Sequence, residues 1–450
     1  MTTLTPNRTP TTRTPRWLRT VLSLLVLSSL VYGLPGLARA YTFTGFEGAT
    51  LVLGQPDLAT TTNGSGPTGV SDPREVAVDP TTGKVFVLDL GNNRVLRFAA
   101  GAALTNGAAA EAVLGQPDLT STSTYTTTQS GFLQPMSLHV DGSGRLWVAD
   151  TNNNRVLRFD NASTKASGAN ADGVLGQPDF TTRLFFPFSP TQNTFQPHHV
   201  YVDGIGRLWV ADTNNYRVLR FDNAATKANG ANADGVLGQL DFTSDQGGTH
   251  PATWMTPTSV YVDGSGRLWV ADQLNSRVLR FDNAATKANG ADPDGVLGQP
   301  DFNIHLQITS DPLYQPVDIT GDSTGRVFIT TYTTGLHIFD NAAAKPNGAA
   351  ADVTHDFSYS DLGCFFDPAA DVLWVAGYGN RVLRFGVPSN PLSAPVISTP
   401  AAGAVITNPR PVITGTGEIS ATITVTEGAT SICTAVDAAD STWTCTPGAD

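Results

Sequence analysis

Val113-Leu-Gly-Gln-Pro-Asp118 is one of five near-copies of the same six residues, and their spacing decides the fold. The other copies start at Val52, Val174, Val236 and Val296, with Leu240 replacing the proline in the fourth, so consecutive starts lie 61, 61, 62 and 60 residues apart. A fixed period of this length marks a repeat architecture, to be read before any local element. Three further runs recur inside the period. The first begins with a proline and ends with an aspartate: Pro73 to Asp79, Pro135 to Asp141, Pro197 to Asp203, Pro257 to Asp263 and Pro316 to Asp322. The second is Arg-Leu-Trp-Val-Ala-Asp, ending at Asp150, Asp212 and Asp272, with Lys84-Val-Phe-Val-Leu-Asp89 as a variant. The third is Arg-Val-Leu-Arg-Phe, starting at Arg94, Arg155, Arg217, Arg277 and Arg381.

These runs are short, rich in Val, Leu, Phe and Trp, and separated by Gly, Asn, Asp and Pro, which is the pattern of strands and tight turns. None has helical periodicity. Four short antiparallel strands repeated in this way make the blades of a β-propeller, an all-β fold. Two degenerate copies, around Val327 to Phe339 and Val372 to Phe385, bring the number of blades to six. The last unit has no outer-strand sequence after Phe385, and the unmatched copy is N-terminal, at Thr50 to Gly54. The N-terminal strand is therefore expected to complete the last blade and close the ring, so that no sheet edge is left open there.

The runs Asp89-x-x-Asn92-x-Arg94, Asp150-x-x-Asn153-x-Arg155, Asp212-x-x-Asn215-x-Arg217 and Asp272-x-x-Asn275-x-Arg277, each continuing into Val-Leu-Arg-Phe, resemble NHL repeats. The resemblance spans about residues 41 to 388; the sixth unit has Gly377 for the Asp, and the fifth has lost all three residues. It implies a six-bladed ring used mostly as a binding platform, with a few relatives being enzymes that hold a metal at the central channel. Lyases of this kind place several His around zinc, for which His199, with His198, is the candidate here. Lactonase-like propellers use carboxylates and Asn around calcium, for which Glu75 and Asp318 are the candidates.

Residues 1–40 hold five arginines and no acid, an apolar run from Val21 to Tyr32 and Ala38-Arg39-Ala40 at the end, the form of a cleaved signal peptide. Without them the chain carries 22 basic and 39 acidic residues, a charge of −17, which repels phosphate backbones and anionic lipid and excludes nucleic acid as a partner. A secreted or cell-surface protein is expected, with no membrane insertion once the signal is removed, and with a monomeric propeller.

The repeat stops after Phe385. Residues 388–395 read as a Pro and Ser rich linker, and 396–450 alternate small apolar residues with Thr, resembling part of a bacterial Ig-like β-sandwich that is too short to be complete. Cys433 and Cys445 are symmetric about Ala439, so a hairpin turn there would set them opposite each other for a disulfide. Cys364 aligns with Val76, Val200 and Val260 and is expected as a buried free thiol.

Functional signal is sought where the copies differ. Aligned on the aspartate that ends the first run, one position reads Glu75, Ser137, His199, Ser259, Asp318 and Gly363. It falls on the innermost strand near the mouth of the channel, and a solvated polar rim is its simplest reading. Glu75, His199 and Asp318 are also the one candidate set for a divalent metal, the only cofactor considered. The loops leading into each blade vary too and carry Phe132, Phe185, Phe186, Phe188, Phe195 and Trp254. Such side chains either cap the blades or form a contact surface. No nucleophile elbow, phosphate loop or Cys-x-x-Cys is present. The Asp-x-x-Asn-x-Arg runs are read as braces for a turn, and the aligned Phe86, Trp147, Trp209, Trp269, Phe328 and Trp374 as packing between blades. The expected function is non-enzymatic binding or surface adhesion to a protein or glycan, with a metal-dependent lyase or lactonase-like hydrolase at the channel mouth as the alternative.

Overall fold

The computed structural model describes residues 49–450, apart from 123–126, 185–190, 246–254, 304–312, 333–334, 356–362, 378, 387–395, 400–411, 417–421, 428–429, 437–441 and 447–450. The chain divides into one unit over Thr42–Val387 and a second that includes Pro388–Asp450.

The larger unit is a ring of six four-stranded antiparallel sheets. Blade 1 holds β2 (Pro73–Val78), β3 (Lys84–Asp89), β4 (Arg94–Ala100) and β5 (Ala112–Leu114), from the axis outward. Blade 2 holds β6 (Ser137–Val140), β7 (Leu146–Asp150), β8 (Arg155–Phe159) and β9 (Gly173–Leu175); blade 3 holds β10 (Pro197–Val202), β11 (Leu208–Asp212), β12 (Arg217–Phe221) and β13 (Gly235–Leu237). Blade 4 holds β14 (Pro257–Val262), β15 (Leu268–Asp272), β16 (Arg277–Phe281) and β17 (Gly295–Leu297); blade 5 holds β18 (Pro316–Gly321), β19 (Val327–Thr331), β20 (Gly335–Phe339) and β21 (Val353–His355). Blade 6 combines β22 (Gly363–Asp367), β23 (Val372–Gly377) and β24 (Arg381–Gly386) with β1 (Leu51–Leu53). The N-terminal strand pairs antiparallel with β24, Val52 opposite Leu383, and closes the ring as the orphan copy implied.

The core lies between the blades. Trp147 packs against Val200, Leu208 and Phe221 of blade 3, Trp209 against Val260 and Phe281 of blade 4, and Trp374 against Val85 and Phe98 of blade 1. A wedge between twisted sheets needs large flat groups, which Trp and Phe supply. The indole N–H of Trp147 donates to Asp141 Oδ2 at 2.9 Å, so the polar end of the ring is satisfied.

The Asp-x-x-Asn-x-Arg runs are structural. In each of blades 1 to 4 the Arg Nε lies 2.7 Å from the Asp Oδ2, both side chains fully buried. The same arginines donate to loop carbonyls, Arg217 to those of Phe242, Thr191 and Thr194, while Asp212 Oδ1 accepts the N–H of Gln196. One buried ion pair thus ties the loop entering a blade to the loop leaving it.

The second unit has a three-stranded sheet of β25 (Val396–Thr399), β26 (Ile413–Thr416) and β29 (Thr442–Cys445), and a pair formed by β27 (Thr422–Glu427) and β28 (Thr430–Val436). Cys433 and Cys445 form a disulfide with Cα atoms 5.9 Å apart. The hairpin expectation is corrected: Cys433 sits opposite Val425 and Cys445 opposite Ile413, so the bond joins two different sheets. Cys364 is a buried free thiol. Among the described residues no helix is long and apolar enough to cross a membrane.

Candidate functional site

The inner strands start at the mouth of the ring, because each is entered from the loop that follows an outer strand. Antiparallel alternation then places two loop sets on the mouth face, those entering each blade and those joining its second and third strands. The hairpins joining first and second strands lie on the opposite face.

Glu75, His199 and Asp318 come together on the axis, and the expectation of a solvated rim is corrected. All three are buried, with His199 at 9% exposure the most open. Their strands β2, β10 and β18 belong to blades 1, 3 and 5, whereas blades 2, 4 and 6 present the short Ser137, Ser259 and Gly363 at the same level. Six long side chains would not fit around so narrow an axis; three from alternate blades meet there. His199 Nε2 lies 3.5 Å from Glu75 Oε2 and 3.4 Å from Asp318 Oδ1. Ser259 Oγ donates to Asp318 Oδ1 at 2.6 Å, and the N–H of Cys364 donates to Asp318 Oδ2 at 2.6 Å. Gly363 is required where it stands, since a Cβ there would lie 2.0 Å from the carbonyl oxygen of Arg74 in blade 1.

Burial pushes the Glu75 carboxyl well above the ordinary carboxylate range, and the neighbouring Asp318 adds to it. Burial lowers His199 to about 4, with His198 acting in the same direction and Asp318 opposing. One atom from each residue lies within 4.8 Å of the others, a spacing that suggests a divalent ion. The donor set does not fit one held through His199. Its Nδ1 faces the N–H of Val260 at 3.3 Å and accepts from it, which leaves the hydrogen of the neutral ring on Nε2, the atom between the carboxylates.

The loop aromatics divide. Phe132 and Phe195 are buried and correct any reading of them as contact residues. They fold down over Gly115 and Gly176, where a Cβ would lie 2.1 and 2.9 Å from the rings, and both glycines have positive φ. Phe185, Phe186, Phe188 and Trp254 lie outside the described residues. A different set of apolar side chains is open to solvent on the mouth face: Leu58, Leu184, Leu240, Leu274 and Tyr332, with Leu240 at 69% exposure. On the opposite face Ile205 alone is a large exposed apolar side chain among the described propeller residues. Leu240 was legible beforehand, as the one break in five Gly-Gln-Pro-Asp copies.

Sequence reasoning missed a contact at the rim. Asn289 Oδ1 accepts the N–H of Val236, and the N–H of Gly290 donates to the Val236 carbonyl, so an Asn-Gly step of blade 4 clips the outer strand of blade 3. Asn106, Ser167, Asn229 and Asn347 do the same for Val52, Val113, Val174 and Val296. The signal was the recurrence of Asn-Gly or Ser-Gly one period apart.

The fold and these contacts define a six-bladed β-propeller whose repeat unit also writes the joints between blades. Residues 132–159, which span blade 2, match the NHL repeat family. No curated protein matches the chain. Among solved structures it is similar to a virginiamycin B lyase from Staphylococcus aureus, at 11% identity and a TM-score of 0.40 over 70% of this chain and 95% of that one. It is also similar to a gluconolactonase from Xanthomonas campestris, at 15% identity and a TM-score of 0.44 over 70% of this chain and 86% of that one.

Proposed function

We propose that this protein is an exported binding propeller that recognises a protein or glycan through its mouth face. The observation that carries the reading is the unequal distribution of exposed apolar side chains: Leu58, Leu184, Leu240, Leu274 and Tyr332 on one face against Ile205 on the other. Single exposed leucines are ordinary, but several on the variable loops of a rigid ring are the composition of a contact surface. Phe185, Phe186, Phe188 and Trp254 belong by sequence to the same loops and are assigned as further apolar anchors. Residues 1–40 direct export and are removed, the propeller acts as a monomer, and residues 396–450 are part of an Ig-like module that spaces it from other material. The test is to screen glycans and cell-envelope proteins, then map amide protection in the complex. Protection is expected in the loops around Leu58, Leu184, Leu240 and Leu274. Protection confined to the hairpins at Gly144, Gly206 and Gly266 would overturn the assignment.

The alternative, a metal-dependent lyase or lactonase-like hydrolase, has one observation in its favour, the convergence of Glu75, His199 and Asp318. Metal analysis of the purified protein separates the two readings, because the enzyme requires a stoichiometric divalent ion there.

A further inference from the structure

The axial position has the same task at every step around the ring: it accepts a hydrogen bond from the next blade's innermost strand. The N–H of Val200 donates to Ser137 Oγ, that of Val260 to His199 Nδ1, that of Ile319 to Ser259 Oγ and that of Cys364 to Asp318 Oδ2. Inner strands have no neighbour within their own sheet on the axial side, so these backbone donors would otherwise be buried without partners, at about 1–3 kcal/mol each. Ser and Asp perform the task with oxygens. His199 performs it with one ring nitrogen, and this fixes what the other can do.

A neutral imidazole that accepts at Nδ1 carries its hydrogen at Nε2. We propose that His199 is the keystone of the axis: its Nε2–H is shared between the carboxyl groups of Glu75 in blade 1 and Asp318 in blade 5, holding with a hydrogen-bond donor the place that a divalent cation would hold. A metal-binding histidine is arranged the other way round, the lone pair on the metal and the second nitrogen's hydrogen donated to an acceptor. Here the second nitrogen faces the Val260 N–H, a backbone donor that no rotation turns into an acceptor.

The surroundings support the same assignment. Asp318 receives hydrogen bonds from the Ser259 hydroxyl and from the N–H groups of Ile319 and Cys364, so three donors already saturate much of the carboxylate. The remaining titratable groups nearby are the Cys364 thiol, whose pKa burial pushes up, His139 one layer deeper, lowered to about 4 by burial, and His198, whose Nδ1 lies 3.0 Å from the Thr258 carbonyl. None of them brings a positive charge to the axis at neutral pH. The channel is therefore closed beneath the mouth by a bridged carboxyl pair, and a ligand meets the loops above it rather than the axis.

The experiment uses the full chain. Long-range nitrogen–proton NMR should show His199 as the Nε2–H tautomer, unchanged by calcium, zinc or manganese, and the purified protein should carry no stoichiometric divalent ion. His199→Asp replaces the bridging donor with a third carboxylate and should acquire calcium binding, read as a calcium-dependent rise in Tm that the parent lacks. His199→Gln restores a donor and should stay indifferent to calcium. An Nδ1–H tautomer, a stoichiometric ion in the parent protein, or a folded His199→Asp variant indifferent to calcium would each overturn the proposal. If His199→Asp does not fold, the tautomer and metal content of the parent decide.

Discussion

Five joints between blades are built alike and one is not. Between blades 3 and 4 the rim is held by the Asn289 clip and by Arg220, whose guanidinium donates to the Ala285 carbonyl of the next blade. Arg97, Arg158, Arg280 and Arg384 act equivalently, Arg384 reaching Gly101 at 2.8 Å across the point where the ring closes. Between blades 5 and 6 the arginine position is Ile338 and, among the described residues, no clip reaches β21, which is partly exposed where the other outer strands of the ring are buried. That joint is held nearer the axis, by Asp318 accepting from Cys364 and by Phe328 stacked on Phe366 at 5.4 Å. The repeat motifs are thus devices for joining blades, and a blade that loses its motif depends on its inner strand and its neighbours.

The closure between blades 6 and 1 should be the most damaging place to intervene. Deleting residues 41–57 removes β1 and leaves β24 as an open edge, and the expected outcome is aggregation, read by light scattering. A soluble, cooperatively folding deletion variant would show that the latch is dispensable. Next in size, Arg217→Met leaves Asp212 buried without its counter-charge and should cost about 3–5 kcal/mol by denaturant unfolding. Arg381, at the equivalent place in blade 6, faces Gly377 instead of an aspartate and is partly exposed, but still donates to the Leu58 carbonyl. Its replacement by Met should cost only about 1 kcal/mol. Equal losses would mean that the degenerate blade is held as its neighbours are.

Smaller effects belong to the rim. Asn289→Ala should cost about 1 kcal/mol, and in the parent protein the amide of Val296 should exchange more slowly than that of Thr354 at the matching position of β21. Similar rates would give the joint between blades 5 and 6 a clip of its own. The axis contributes through pH. Glu75 has a raised pKa when folded, so its contribution to stability falls as pH rises from 4.5 through that raised value. His199, lowered to about 4, does the opposite and loses stability as pH falls from 6.5 toward 4. Glu75→Gln removes only the first effect, so its Tm relative to the parent should climb as pH is raised above about 5.

Much of this was legible in the sequence because the fold is written five times over. The strands, the interblade aromatics and the buried Asp-Arg braces repeat with the period, and the latch followed from one unmatched copy. What escaped were relations between repeats. The Asn-Gly clips connect residues more than 50 positions apart and have no hydrophobic pattern to announce them. The axial cluster was seen as a set of residue types but placed in solvent, because burial there depends on long and short side chains alternating around a closed ring. That alternation, Glu, Ser, His, Ser, Asp, Gly, was present in the alignment of the copies. In the second unit the cysteine pair was legible and its geometry was not, since strands adjacent in sequence pair in different sheets.

The most direct test of the functional account compares the two faces. With a ligand in hand, binding is measured by calorimetry for Leu240→Ala, Leu274→Ala, Phe186→Ala and Trp254→Ala, and for Ile205→Ala and Lys227→Ala on the opposite face. Anchors at the centre of an interface lose about 2 kcal/mol or more on truncation. The account predicts a loss of that size for at least one mouth-face variant and unchanged affinity for Ile205→Ala and Lys227→Ala. Weakened binding from the opposite-face changes, with every mouth-face variant binding as the parent does, would contradict it.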